Sequence, residues 1–248
     1  SASVGIAIVA SDTVTDERPI IFEQRFTAGV ASLDQDRPTR QIEEAILQAF
    51  LVVGSEGISA LKAYDAQGEI SYVLATISAP WSHTITQQAV YEAEEPFTIT
   101  KVTLESLIDS ARTEALKNEK ALQFLAERGL EIICNKVLYI AVNGYSINDP
   151  VGMTGKKIFV SHSSGLAPTS LIASVTDHQE RVLPGSSLIN STFMLSLYTI
   201  MRDLYPDTTE ACLIDVTNEA TEIGVVRNGE LKQTSHLHAG THSIIRSV

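Results

Sequence analysis

Asp215 ends the apolar run Leu213-Ile214, and the polar turn Thr217-Asn218-Glu219-Ala220 leads into Thr221-Glu222-Ile223-Gly224-Val225-Val226, which reads as a returning strand. An acid at the end of a buried strand, followed by such a turn, can hold a phosphate tail. The acid positions a metal ion or its waters, while hydroxyls and backbone amides of the turn contact phosphate oxygens. The same pattern also suits any β-hairpin whose first strand ends in aspartate. A second constellation lies nearby: His236 and His238 share one strand face and His242 lies beyond them, a spacing that can ligate zinc. Solvated edge histidines are the plainer reading, because no carboxylate or cysteine close in sequence supplies a further ligand. His83, His162 and His178 are scattered. Ser163-Ser164-Gly165 and Gly185-Ser186-Ser187 lack the glycines of a nucleophile elbow, and Gly155-Lys156-Lys157 has Gly152 before it at the wrong spacing for a P-loop. Glu92, Glu94 and Glu95 read as a solvated acidic loop.

The elements that must position these residues are set by periodicity. Val4, Ile6 and Ile8 alternate as a buried strand, and Ile20 to Phe26 reads as the next. Ile42, Ala45, Ile46, Ala49, Phe50 and Val53 fall at helical spacing, with Gly54 as the expected stop. Tyr72 to Ile77 is a strand, broken by Ala79-Pro80-Trp81, and Thr84 to Tyr91 is extended again. Thr103 is the expected cap of a helix whose stripe runs Leu104, Leu107, Ile108, Ala111, Ala115, Leu116, then Leu122 and Leu125 up to Gly129. Strands Ile132 to Ile147 (bent) and Lys157 to Ser161 come next. A helix around Ser191 to Leu204 precedes strands Ala211 to Val216, Glu222 to Arg227 and Glu230 to Leu237. Asn228-Gly229 is a strong hairpin signal, since both residues tolerate positive φ. Strand, helix, strand, strand over residues 82–162 forms a small α+β unit inserted between α/β segments.

The chain has 248 residues, enough for one large domain or two small ones. Its 18 basic and 30 acidic residues leave a net charge of −12, which argues against nucleic acid as a partner. Cys134 and Cys212 form no CxxC, so neither a disulfide scaffold nor a cysteine zinc site is expected, and a reducing compartment is. No run approaches the roughly 18 consecutive apolar residues of a spanning helix, and the opening Ser1-Ala2-Ser3-Val4 is not a signal peptide. A strand at the first residues and a helix starting near Val248 suggest that both ends continue beyond this sequence.

The Asp215 to Val226 segment is similar to the second phosphate loop of the bacterial actin-like cell-division family FtsA, D-I-G-G-G-T-T-D-I-A-V. Val137-Leu138-Tyr139-Ile140, Gly144-Tyr145-Ser146-Ile147 and Asn148-Asp149-Pro150-Val151-Gly152-Met153-Thr154-Gly155 resemble its H-V-I-P…Y-x-V-D…K-D-P-x-G-M-x-G run. Ser1-Ala2-Ser3-Val4-Gly5-Ile6 resembles the residues after the D-I-G of the family's first phosphate loop. The resemblance implies an α/β actin-like ATPase (ribonuclease H-like) fold with the inserted unit as subdomain 1C. Residues 1–81 and 163–205 would form subdomain 1A, 82–162 subdomain 1C, and 206–248 the start of subdomain 2A. It implies ATP with magnesium as cofactors. Ser1, Asp215, Thr217, Thr221 and Gly240 would be the phosphate-binding positions, and Asp215 would hold the magnesium indirectly. Implied partners are an FtsZ-like tubulin homologue, further copies in a head-to-tail polymer, and the membrane through a segment outside this sequence, at the inner face of the cell membrane.

Three family glycines are replaced by Thr217, Asn218 and Glu219, and Thr241 replaces one of two glycines in the later turn that Gly240 retains. Glycines let a backbone approach phosphates, whereas Glu219 adds a repulsion of about 4 kcal/mol at ~4 Å and an effective dielectric of 20, roughly a thousandfold in affinity. Weak or absent nucleotide binding, and at most a weak ATPase, is the expectation. Two alternatives stand beside the division-scaffold reading. One is a pilus-assembly adaptor resembling PilM, which has a related insert and grips a short peptide from a membrane protein. The other is a small-molecule kinase or phosphatase of the actin-like superfamily.

Overall fold

The computed structural model describes residues 3–11, 17–27, 37–117 and 129–246. The chain divides into two compact units, one of Ser1–Ala75 with Ser170–Ile189, the other of Thr76–Thr169 with Asn190–Val248.

In the first unit β1 (Ser3–Val9) and β2 (Ile20–Thr27) pair antiparallel, from Ser3↔Thr27 to Ile8↔Phe22. Helix α1 (Arg37–Val52) passes through one wider turn, Val53–Gly57, into α2 (Ile58–Tyr64). Ile42, Ala45, Ile46, Ala49, Val53 and Leu61 are its buried stripe, and α1 packs on β1 and β2. Gly54, the expected stop, does not end this helix. A Cβ there would lie 2.8 Å from Val182 Cγ1, and one at Gly57 would lie 2.9 Å from Ile8 Cδ1. Both glycines serve close packing, and the backbone continues to Tyr64. Over Arg40–Tyr64 the helix reaches a mean hydropathy of 1.3, so by length and composition it is long and apolar enough to cross a membrane; here its stripe covers a β-hairpin.

Strand β3 (Tyr72–Ile77) pairs with β8 (Ser187–Thr192). Between them in sequence lies α4 (Thr169–Val182), a helix not expected from the residue pattern, burying Leu171, Ile172, Val175 and Gln179. The Gln179 amide donates to the Ser186 carbonyl at 2.8 Å and closes the turn leading to β8.

The second unit holds the strand–helix–strand–strand stretch expected over residues 82–162. Strands β4 (His83–Thr98), β5 (Leu130–Val142), β6 (Tyr145–Ser146) and β7 (Thr154–Pro168) form an antiparallel sheet ordered β4-β7-β5-β6. Helix α3 (Lys101–Lys117) packs on β4 and β7, around Ile99, Leu107, Val142, Ile158 and Val160. Its cap is Thr100, whose hydroxyl accepts from the Thr103 amide at 3.1 Å, so Thr103 is three residues inside. Leu122 and Leu125 lie outside the described residues. The strand expected over 132–147 is two strands, because Asn143 and Gly144 adopt φ of 50° and 89° and turn the chain back.

Helix α5 (Phe193–Leu204) begins after Thr192, whose hydroxyl accepts from the Leu195 amide at 3.3 Å. Strands β9 (Ala211–Val216), β10 (Thr221–Arg227) and β11 (Glu230–Leu237) form an antiparallel sheet ordered β11-β10-β9, followed by the short α6 (Thr241–Arg246). Met194, Leu195, Tyr198 and Met201 of α5 pack against Leu213, Val226 and Leu231. Gly224 makes room for this layer, since a Cβ there would sit 2.7 Å from Met194 Sδ. The Tyr198 hydroxyl donates to the Gly229 carbonyl at 2.8 Å and ties α5 to the Asn228-Gly229 turn.

Candidate functional site

The Asp215 turn joins β9 to β10 in the second unit. Alternation in a strand puts Leu213 and Asp215 on one face, and the ladder sets Asp215 opposite Glu222 and Leu213 opposite Gly224. On the other side of β10 an uninterrupted ladder from Arg227↔Glu230 would bring Ser235 opposite Glu222. A bulge between Val225 and Val226 shifts the register by one, so His236 takes that place. Asp215, Glu222 and His236 therefore form a row across three strands. His83 stacks edge-on against His236, ring centroids 4.7 Å apart.

The row is poorly satisfied. Glu222 is fully buried, and its Oε1 lies 3.4 Å from His236 Nε2 without hydrogen-bonding geometry. Neither carboxyl oxygen of Glu222 nor Asp215 Oδ2 has a hydrogen-bond partner. Burial pushes the Glu222 pKa up to about 7; the neighbouring Asp215 charge adds to the rise, and the Thr84 hydroxyl opposes it. Burial also raises Asp215, against a hydrogen bond from Ser78. Burial, and then the charge of His238, lower the pKa of His236. Near neutrality the row thus favours a protonated or half-protonated Glu222 beside a neutral imidazole.

The turn itself is closed by its own bonds. The Thr217 amide and hydroxyl both donate to the Ala220 carbonyl, at 2.9 and 2.8 Å, and the Ala220 amide returns to Thr217 Oγ1 at 3.1 Å. The Thr221 hydroxyl donates to the Ala239 carbonyl at 2.7 Å. From the other side, Thr241 and His242 amides donate to the Thr217 and Asn218 carbonyls, each at 3.0 Å, and Thr241 Oγ1 lies 3.0 Å from Asn218 Oδ1. Gly240 presses so closely that a Cβ would fall 2.4 Å from the Thr217 carbonyl oxygen and 2.5 Å from the Asn218 carbonyl.

The structure thus gathers Asp215, Thr217, Thr221 and Gly240 around one turn, while Ser1 lies outside the described residues. It adds Glu222, His236, His83, Thr84 and Ser78. A hint of Glu222 was available, since it stands where the FtsA loop that the segment resembles has an acid. Its meeting with His236 was hidden by the bulge. The histidines do not assemble as a zinc site: His238 is exposed, and among the described residues no three His, Cys, Asp or Glu side chains are arranged to hold a metal ion. The acid pair offers carboxyl oxygens to a hydrated cation, whereas the Thr217 and Thr221 hydroxyls and the Thr217 and Ala220 amides are already engaged.

No family model matches this chain, and no curated protein does. Solved structures do, and the likeness gives the fold: the chain has a mixed α/β actin-like ATPase fold. One similar structure is a PilM-PilN type IV pilus biogenesis complex, at 13% identity and a TM-score of 0.57, covering 99% of this chain and 61% of that one. Another is a Bacteroides thetaiotaomicron protein with actin-like ATPase fold and unknown function, at 10% identity and a TM-score of 0.48, covering 97% of this chain and 68% of that one. The chain spans about 61% of the length of the PilM-type structure, and the likeness at such identities is one of fold.

Proposed function

We propose that this chain is an actin-fold scaffold acting as a PilM-like adaptor in pilus assembly, gripping a short segment of a PilN-type membrane protein at the inner face of the cell membrane. The observation that carries this reading is the structural likeness to a PilM-PilN complex over 99% of the chain. The internally bonded Asp215 turn supports a binding role over a catalytic one. Titration of a terminal peptide of a PilN-type protein tests it: saturable binding that a scrambled peptide lacks is expected, and no binding by folded protein removes the proposal.

The sequence similarity to FtsA favours a second reading, a cell-division scaffold that binds an FtsZ-like partner and polymerises head to tail. Its support is the Asn148–Gly155 run, which forms a defined turn. Pro150 is buried, Gly152 has φ of 86°, and the Gly152 amide and Met153 carbonyl bond Ile99 on both sides at 2.8 Å. Co-sedimentation with an FtsZ-like filament separates the two readings, since only the scaffold reading predicts pelleting.

A further inference from the structure

We propose that the Thr217–Thr221 turn is closed to nucleotide phosphate and works as a clasp fastening α6 to the three-stranded sheet. A phosphate cradle needs donors that point outward and have no other partner. Here the hydroxyls of Thr217 and Thr221 and the amides of Thr217 and Ala220 all bond within the turn or to Ala239. Thr241 and His242, the first residues of α6, bond back onto the Thr217 and Asn218 carbonyls, and the side chains of Thr241 and Asn218 meet as well. Gly240 makes the fit possible because no larger residue leaves space against those carbonyls.

The orphan atoms beneath the turn have the wrong character for an anion. Asp215 Oδ2 and both oxygens of Glu222 have no hydrogen-bond partner, and these carboxyls repel phosphate whenever they are ionised. Glu219, exposed on the turn, adds a further negative charge. Side chains thus stand at the three positions where glycines would leave the backbone open to close approach. What remains is a set of bonds joining β9, β10 and the start of α6, independent of any ligand.

The test compares the parent with a variant carrying Thr217→Gly, Asn218→Gly and Glu219→Gly, with Mg-ATP and Mg-ADP as probes. Calorimetry and thermal melts of the parent are expected to show no binding heat and no shift in melting temperature at millimolar nucleotide. Hydrogen exchange is the structural readout, and the single variant Thr217→Gly serves if the triple variant does not fold. The Thr241 and His242 amides are expected to be protected in the parent, equally with and without nucleotide, and to exchange about tenfold faster in the variant. Micromolar Mg-ATP binding by the parent, seen as a rise of several degrees in melting temperature, overturns the proposal. So does exchange at those two amides that is as fast in the parent as in the variant. Neither result depends on which protein partner the chain binds.

Discussion

Glu222 holds a carboxyl with no exposure and no hydrogen bond, between a second acid and an imidazole. Its pKa, raised from 4.5 to about 7 in the folded chain, stabilises the fold while the group is protonated in both states and loses that contribution as pH rises through the folded value. The window is therefore about pH 4.5 to 7, and the loss is of the order of 3 kcal/mol. Glu222→Gln keeps the shape without the charge. Urea unfolding across this window is expected to show the variant gaining on the parent as pH rises and exceeding it above neutrality; parallel curves would show that Glu222 does not titrate there. Gly240→Ala belongs to the same site. Its Cβ meets backbone rather than a movable side chain, so a loss of roughly 3 kcal/mol or more in denaturant melts is expected. At this scale Asp215, Thr217, Thr221 and Gly240 were readable as one site only through the resemblance to the FtsA phosphate loop, and the structure does gather them around one turn. The Glu222–His236 meeting was not, because one extra residue in β11 exchanges its faces.

The elements most readable from sequence were those whose pattern and punctuation agree. β9, β10 and β11 alternate around an Asn-Gly turn, and the Leu104, Leu107, Ile108, Ala111 stripe lies within α3. Helix α4 escaped notice. Leu171, Ile172 and Val175 sit at helical spacing, but Ser170, Ser174, Val175, Thr176 and Val182 are small, polar or β-branched, and Pro168 joins the helix directly to β7. Gly54 misled for a different reason: a helix-stop residue and a packing glycine look the same until the neighbour is known. That distinction is testable by a double-mutant cycle. Gly54→Ala alone sets helix propensity, worth about 1 kcal/mol, against a 2.8 Å contact with Val182 and is expected to destabilise. In a Val182→Ala background the contact disappears, and Gly54→Ala is expected to stabilise by about 0.5–1 kcal/mol in thermal or urea melts. Equal effects in both backgrounds would remove the packing explanation. Tyr198→Phe, which leaves the buried Gly229 carbonyl without the Tyr198 donor, is expected to cost about 1–2 kcal/mol in the same melts.

At the scale of the whole molecule, an actin-like ATPase fold has been kept while the turn that would face phosphate is bonded to itself. Charge told of an acidic chain and periodicity of alternating strands and helices, and the α/β class is what the structure bears out. Composition and periodicity were silent on the choice between pilus adaptor and division scaffold, because that choice lies on surfaces rather than in the core. The proposed adaptor reading starts from the fold likeness to a PilM-PilN complex, and that likeness is one of fold. Under the proposed adaptor reading, with the proposed clasp complete without nucleotide, control would come from the partner rather than from ATP. The most direct measurement of the proposed role is the affinity for a terminal peptide of a PilN-type protein, titrated by calorimetry with and without millimolar Mg-ATP. Saturable binding with the same dissociation constant in both conditions is the predicted result; no binding, or binding that appears only with Mg-ATP, would contradict it.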